Sequence, residues 1–79
     1  MSKEFGERLK ELRREKGLLR NELGKIVGVT DSAVGGWESG VREPRYEILI
    51  VLADCFHVSL DYLVGRTDER LYKSTRVGA

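Results

Sequence analysis

A chain of 79 residues can build one hydrophobic core and no more, so two domains within it are excluded. Its 14 Lys and Arg against 13 Asp and Glu leave a net charge of +1, which argues against a generic polyelectrolyte binder. The single cysteine, Cys55, excludes an intramolecular disulfide and fits a reducing cytoplasm, and with a charged stretch over residues 1–5 and no apolar run of roughly 20 residues neither secretion nor a membrane span is expected.

The charge is unevenly spread. Residues 1–20 carry Lys3, Arg8, Lys10, Arg13, Arg14, Lys16 and Arg20 against four acids. Residues 21–44 set Lys25 and Arg42 against Glu22, Asp31, Glu38 and Glu43. The remainder is balanced.

Phe5, Leu9 and Leu12 repeat at the spacing of a buried helical stripe, which predicts a first helix over about 4–16, with Ser2 able to cap its start. Gly17 suits the left-handed residue that closes a helix, and Arg13, Arg14 and Lys16 oppose the negative end of its dipole. A short second helix is expected at about 20–27, with Leu23, Ile26 and Val27 inward and Gly28 as its stop. Gly24 in its middle costs about 1 kcal/mol relative to alanine but permits another helix to approach closely. Thr30 caps a third helix at about 31–38 that buries Ala33, Val34 and Trp37, and the three-residue link before it forces a tight, roughly perpendicular pair.

Gly40, Arg42 and Pro44 mark a loop before a fourth helix from Arg45 to Phe56, closed by His57 in a left-handed turn. No second ligand accompanies His57, so a metal or catalytic role is not assigned to it. Ser59 caps a fifth helix, Leu60 to Val64, ended by Gly65. The expected organisation is an all-α domain of five short helices over 1–66 and a flexible tail over 67–79.

Gly17-Leu18, Glu22-Leu23, Gly28-Val29-Thr30, Trp37-Glu38, Gly40, Pro44 and the run from Val58 to Gly65, at these spacings, resemble the lambda-repressor-like (Cro/CI or Xre) helix-turn-helix family. The resemblance covers about residues 4–66 and implies that helices two and three form the motif, with the third entering the major groove of double-stranded DNA. It places base-reading positions at Asp31, Ser32 and Gly36, and a phosphate contact at Arg20, where relatives often carry glutamine. It also implies an ion pair between Arg13 and Glu38 and a backbone-following loop around Arg42 and Arg45, from which Arg45 can reach a phosphate or the minor groove.

Gly35 and Gly36 depart from that pattern, because relatives have longer polar residues there. The pair carries about 2 kcal/mol of helix penalty and offers no side chain to a base. Readout is then expected to rest on Ser32, on backbone approach at Gly35 and Gly36, and on DNA shape, with Thr30 counted among the DNA-binding residues and Asp31 serving chiefly the positive end of its own helix.

On the fourth helix Tyr46, Leu49, Leu52, Ala53 and Phe56 share the expected inner stripe, while Ile48, Val51 and Cys55 fall nearly opposite. Such an outer stripe needs a cover. A two-fold homodimer through Ile48, Val51, Cys55, Leu60 and Leu63 is the favoured cover, and a fold-back of Leu60, Leu63 or Leu71 within one chain is the alternative.

The functional expectation is a cytoplasmic, sequence-specific DNA-binding transcriptional regulator of prokaryotic or phage type, a repressor rather than an activator. The alternative is an antitoxin-like or adaptor subunit in the same fold with weak DNA affinity, which the near-zero charge and paired glycines favour. No catalytic constellation, phosphate loop or metal cluster is read from the residues, and no cofactor or small-molecule substrate is expected.

Overall fold

In the computed structural model, residues 2–71 are described, and they form five helices: α1 (Ser2–Glu15), α2 (Arg20–Val27), α3 (Asp31–Ser39), α4 (Tyr46–Phe56) and α5 (Leu60–Leu63). No strand occurs among the described residues. The first helix begins earlier than its apolar stripe suggests, and Ser2 lies inside it rather than ahead of it.

Every helix contributes its apolar stripe to one interior. Phe5, Leu9 and Leu12 of α1 meet Leu23 and Val27 of α2, Val34 and Trp37 of α3, and Leu52 and Phe56 of α4. Val58, Tyr62 and Leu63 close the far end. Burying a side chain of this size stabilises the fold by about 1.5–3 kcal/mol, so this cluster is what holds five short helices that would not persist alone.

Two inward assignments fail. Ile26 is largely exposed, because the buried arc of α2 runs through Leu23, Gly24 and Val27 and leaves Ile26 outside it. Tyr46, in the first turn of α4, is 69% exposed; burial on that helix centres on Leu52 and Phe56 instead.

The chain does not leave the domain at residue 66. Arg8 donates through Nη1 to the carbonyls of Tyr62 and Thr67, each at 2.6 Å, and through Nη2 to Asp68 at 2.8 Å. Arg70 grips Glu15 with both terminal nitrogens, at 2.7 and 2.6 Å, and its carbonyl accepts from the Ser59 N–H at 2.6 Å. Both guanidiniums also lie over the Tyr62 ring, Arg8 at 4.2 Å and Arg70 at 5.3 Å from its centroid. Residues 67–71, expected as the start of a flexible tail, are therefore strapped to α1 and α5; the rest of that tail lies outside the described residues.

Candidate nucleic-acid interface

The turn between α2 and α3 is set by backbone. Gly28 closes α2 in the left-handed region at φ 81°, and its N–H and that of Val29 both return to the Gly24 carbonyl. A Cβ on Gly24 would stand 2.6 Å from the Val29 carbonyl oxygen, so only glycine lets the turn lie this close to α2. Thr30 then caps α3, its hydroxyl accepting from the Ala33 N–H at 3.1 Å.

Fixed in that way, α3 turns Val34, Trp37 and Glu38 inward and leaves Asp31, Ser32 and Ser39 exposed, with Gly35 and Gly36 between them. Asp31 sits in the first turn, at the positive end of the dipole, where a carboxylate is favoured. The outer face is thus polar and short, with its middle stripped to backbone.

Arginines from outside the helix occupy the space that the glycines leave. Arg20, at the start of α2, lies beside Gly35, where an added Cβ would meet Nη1 at 3.7 Å. Its Nε donates to Glu38 at 3.3 Å and its side chain remains half-exposed. Arg42 lies against Gly36: a Cβ there would stand 2.7 Å from Cδ and 3.1 Å from Cγ of Arg42. The Arg42 N–H donates to the Gly36 carbonyl at 3.1 Å, so stem and backbone are both seated on the same residue.

Glu38 anchors this arrangement from below. Its carboxylate accepts from Arg13 Nε at 2.6 Å and Nη2 at 3.1 Å, while Arg13 Nη1 donates to the Leu18 carbonyl at 2.8 Å. The bond to Glu38 holds the Arg13 pKa above its ordinary value despite the opposing cost of burial. The pair implied by the resemblance is present; the share that Arg20 takes in it carries no signal in the sequence, since the two residues lie 18 positions apart. Arg45, exposed, stands at the N-cap of α4 rather than within it.

On the opposite side, α4 and α5 present the residues assigned to self-association. Val51 and Leu60 are exposed, but Ile48 and Cys55 are half-buried against the core. Leu63 is fully buried and therefore unavailable to a partner; it faces inward because the cap at Ser59 starts α5 in the register that turns Tyr62 and Leu63 toward α1. Leu71 does not cover the outer stripe, being 72% exposed, and with Ile50 and Leu60 it lines a shallow groove that also includes His57 and Asp54. Ile50 belongs to neither of the expected covers, and Leu71 only to the fold-back alternative.

No group of three or more His, Cys, Asp or Glu residues that could hold a metal ion occurs among the described residues, and no helix there is long and apolar enough to cross a membrane.

Residues 9–63 match the family model described as helix-turn-helix. An uncharacterized HTH-type transcriptional regulator of Bacillus subtilis (strain 168), YobD, is 35% identical over 65 residues, which cover 82% of this chain and 58% of that protein. The repressor protein C2 of Salmonella phage P22 is 37% identical over 60 residues, 76% of this chain and 28% of the repressor. The chain thus spans well under two thirds of the length of these relatives. The crystal structure of the P22 c2 repressor in complex with synthetic operator 9T superposes with a TM-score of 0.75 at 35% identity, covering 80% of this chain and 96% of that one. With five helices, the turn at Gly28 and an inward Trp37 all in place, the chain belongs to the Cro/CI-type helix-turn-helix family.

Proposed function

We propose that this chain binds double-stranded DNA through α3 as a sequence-specific transcriptional regulator, a repressor in the first instance, and not as an enzyme. The observation that carries the reading is the exposed, polar face of α3 flanked by Arg20 and Arg42, on a fold shared with a repressor bound to a synthetic operator. An α-helix fits the major groove of about 12 Å, and its first turn, here Asp31 and Ser32 behind the Thr30 cap, is the part that comes nearest to base edges. Arg20 and Arg45 supply charge to phosphates on either side. A cytoplasmic location belongs to the same reading.

Titration of duplex DNA at two salt concentrations tests it. Each phosphate neutralised adds about 0.9 to the slope of log affinity against log salt, so a modest slope is expected, and Arg20→Ala or Arg45→Ala should each lower it by about one contact while weakening all sequences alike. Binding that is absent at low salt, or indifferent to salt, overturns the assignment.

The reading includes a two-fold homodimer through α4 and α5, supported by the exposed apolar side chains Ile50, Val51 and Leu60. A symmetric pair presents two recognition helices about 34 Å apart, one per half-site, which one copy cannot do. Sedimentation of the Val51→Glu variant tests this: the wild type should self-associate at micromolar concentration and the variant should not. A monomeric wild type at high concentration rejects the dimer.

A further inference from the structure

The bare middle of α3 poses a question that the flanking arginines answer. A helix that reads bases needs side chains with hydrogen-bonding ends, yet the outer face here offers only short groups at Asp31, Ser32 and Ser39. Arg42 supplies what is missing. Its N–H is tied to the Gly36 carbonyl at 3.1 Å, its stem rests where a side chain at position 36 would stand, and its exposed guanidinium forms no hydrogen bond or ion pair among the described residues.

We propose that Arg42 reads a guanine in the major groove, its stem laid across Gly36 so that the guanidinium takes the place of a long side chain on α3. The inference rests on the proposed DNA-binding function and replaces the phosphate contact that the family loop would imply for Arg42. A guanidinium carries two parallel N–H groups that match the O6 and N7 acceptors of guanine, a pattern no other base pair presents in that groove. Gly36 is the condition for it. Any Cβ at that position would force the Arg42 stem off the helix, so the glycine preserves a path for a reader that enters from the loop. Arg20 keeps the phosphate role proposed above, since its Nε is bonded to Glu38 and its side chain lies at ordinary contact distance from Gly35 rather than in the place of a side chain there.

Selection from a pool of duplexes with randomised positions, using wild type, Arg42→Lys, Arg42→Ala, Gly36→Ala and the Gly36→Ala/Arg42→Ala pair, tests the proposal. The wild type should show one strongly preferred guanine per half-site. Arg42→Lys, which keeps the charge and loses the fork, should flatten that position by about tenfold, as should Arg42→Ala, with other positions unchanged. Gly36→Ala should flatten the same position by displacing the stem, and adding it to Arg42→Ala should change nothing further. Thermal melting of each variant checks folding; it should match or exceed the wild type, because Arg42 is exposed and alanine favours a helix over glycine. Uniform weakening of all sequences by the Arg42 variants identifies a phosphate contact and overturns the proposal, as does a Gly36→Ala variant with unaltered preference. Wild-type binding without any base preference overturns it alone, whereas failure to bind duplex at all overturns the DNA-binding function beneath it.

Discussion

Glu38 carries a negative charge with almost no access to water, its side chain being 2% exposed, and two arginines from different helices converge on it. Arg13 is also buried, its side chain 9% exposed, so the two charges are mutually dependent: removing one leaves the other buried without its charge partner. Glu38→Ala should therefore destabilise the domain by about 3–5 kcal/mol, read by chemical denaturation. Arg20→Ala should cost far less, since Arg20 is half-exposed and Glu38 keeps Arg13. If both variants unfold at the same denaturant concentration, the inner pair is not what holds α3 to α1. Part of the basic surplus of residues 1–20 is likewise engaged within the fold, Arg8 with Tyr62, Thr67 and Asp68 and Arg13 with Glu38.

At the level of the element, three glycines near or within α2 and α3 look alike in sequence and differ in their surroundings. Gly24 abuts backbone, with a hypothetical Cβ 2.6 Å from the Val29 carbonyl oxygen, which cannot move without undoing the turn. Gly35 faces only the flexible Arg20 side chain at ordinary contact distance, 3.7 Å or more. Alanine substitution should consequently act with opposite signs. Gly35→Ala should raise stability by about 1 kcal/mol through helix propensity, whereas Gly24→Ala should lower it by about 1–3 kcal/mol through overpacking. Thermal melts of the two variants check this, and a stabilised Gly24→Ala would show that the turn is not held by that contact. Gly36 shares the helical setting of Gly35 but has its neighbour closer, which ties its substitution to Arg42 rather than to the fold.

Across the whole molecule, the strap formed by residues 67–71 joins the end of the described chain to α1 through Arg8 and Arg70. The bidentate bond from Arg70 holds the Glu15 carboxyl below the ordinary carboxylate range, and the same bond, with Tyr62 adding to it, raises Arg70. A carboxyl whose pKa is lower folded than unfolded contributes fully above its unfolded value and loses that contribution as pH falls through the folded one. The strap should therefore loosen below about pH 4, where free carboxylates protonate, before the core opens. Amide exchange at residues 66–71 should rise in that window while Leu9 and Leu52 stay protected, and Arg70→Ala should give the same pattern at neutral pH. Simultaneous exchange of strap and core would show that the two open as one unit.

The helices themselves were legible in the chain because their signals are local. Apolar residues recur at helical spacing in α1, Thr30 and Ser59 accept from the third residue onward, and His57 takes the left-handed turn at φ 57° that ends α4. The family pattern added the motif and the Arg13–Glu38 pair. What stayed hidden depends on distance along the chain. Arg70 meets Glu15 across 55 positions and Arg8 meets Asp68 across 60, and no periodicity encodes either contact. Eight- and eleven-residue helices also have too few turns for their stripes to be placed unambiguously, so Ile26 and Tyr46 were turned inward by pattern and outward by packing. The two glycines of α3 read as a loss of chemistry in one dimension; only folding shows that Arg20 and Arg42 fill the space they vacate, because side chains from separate elements compete for the same volume and glycine yields it.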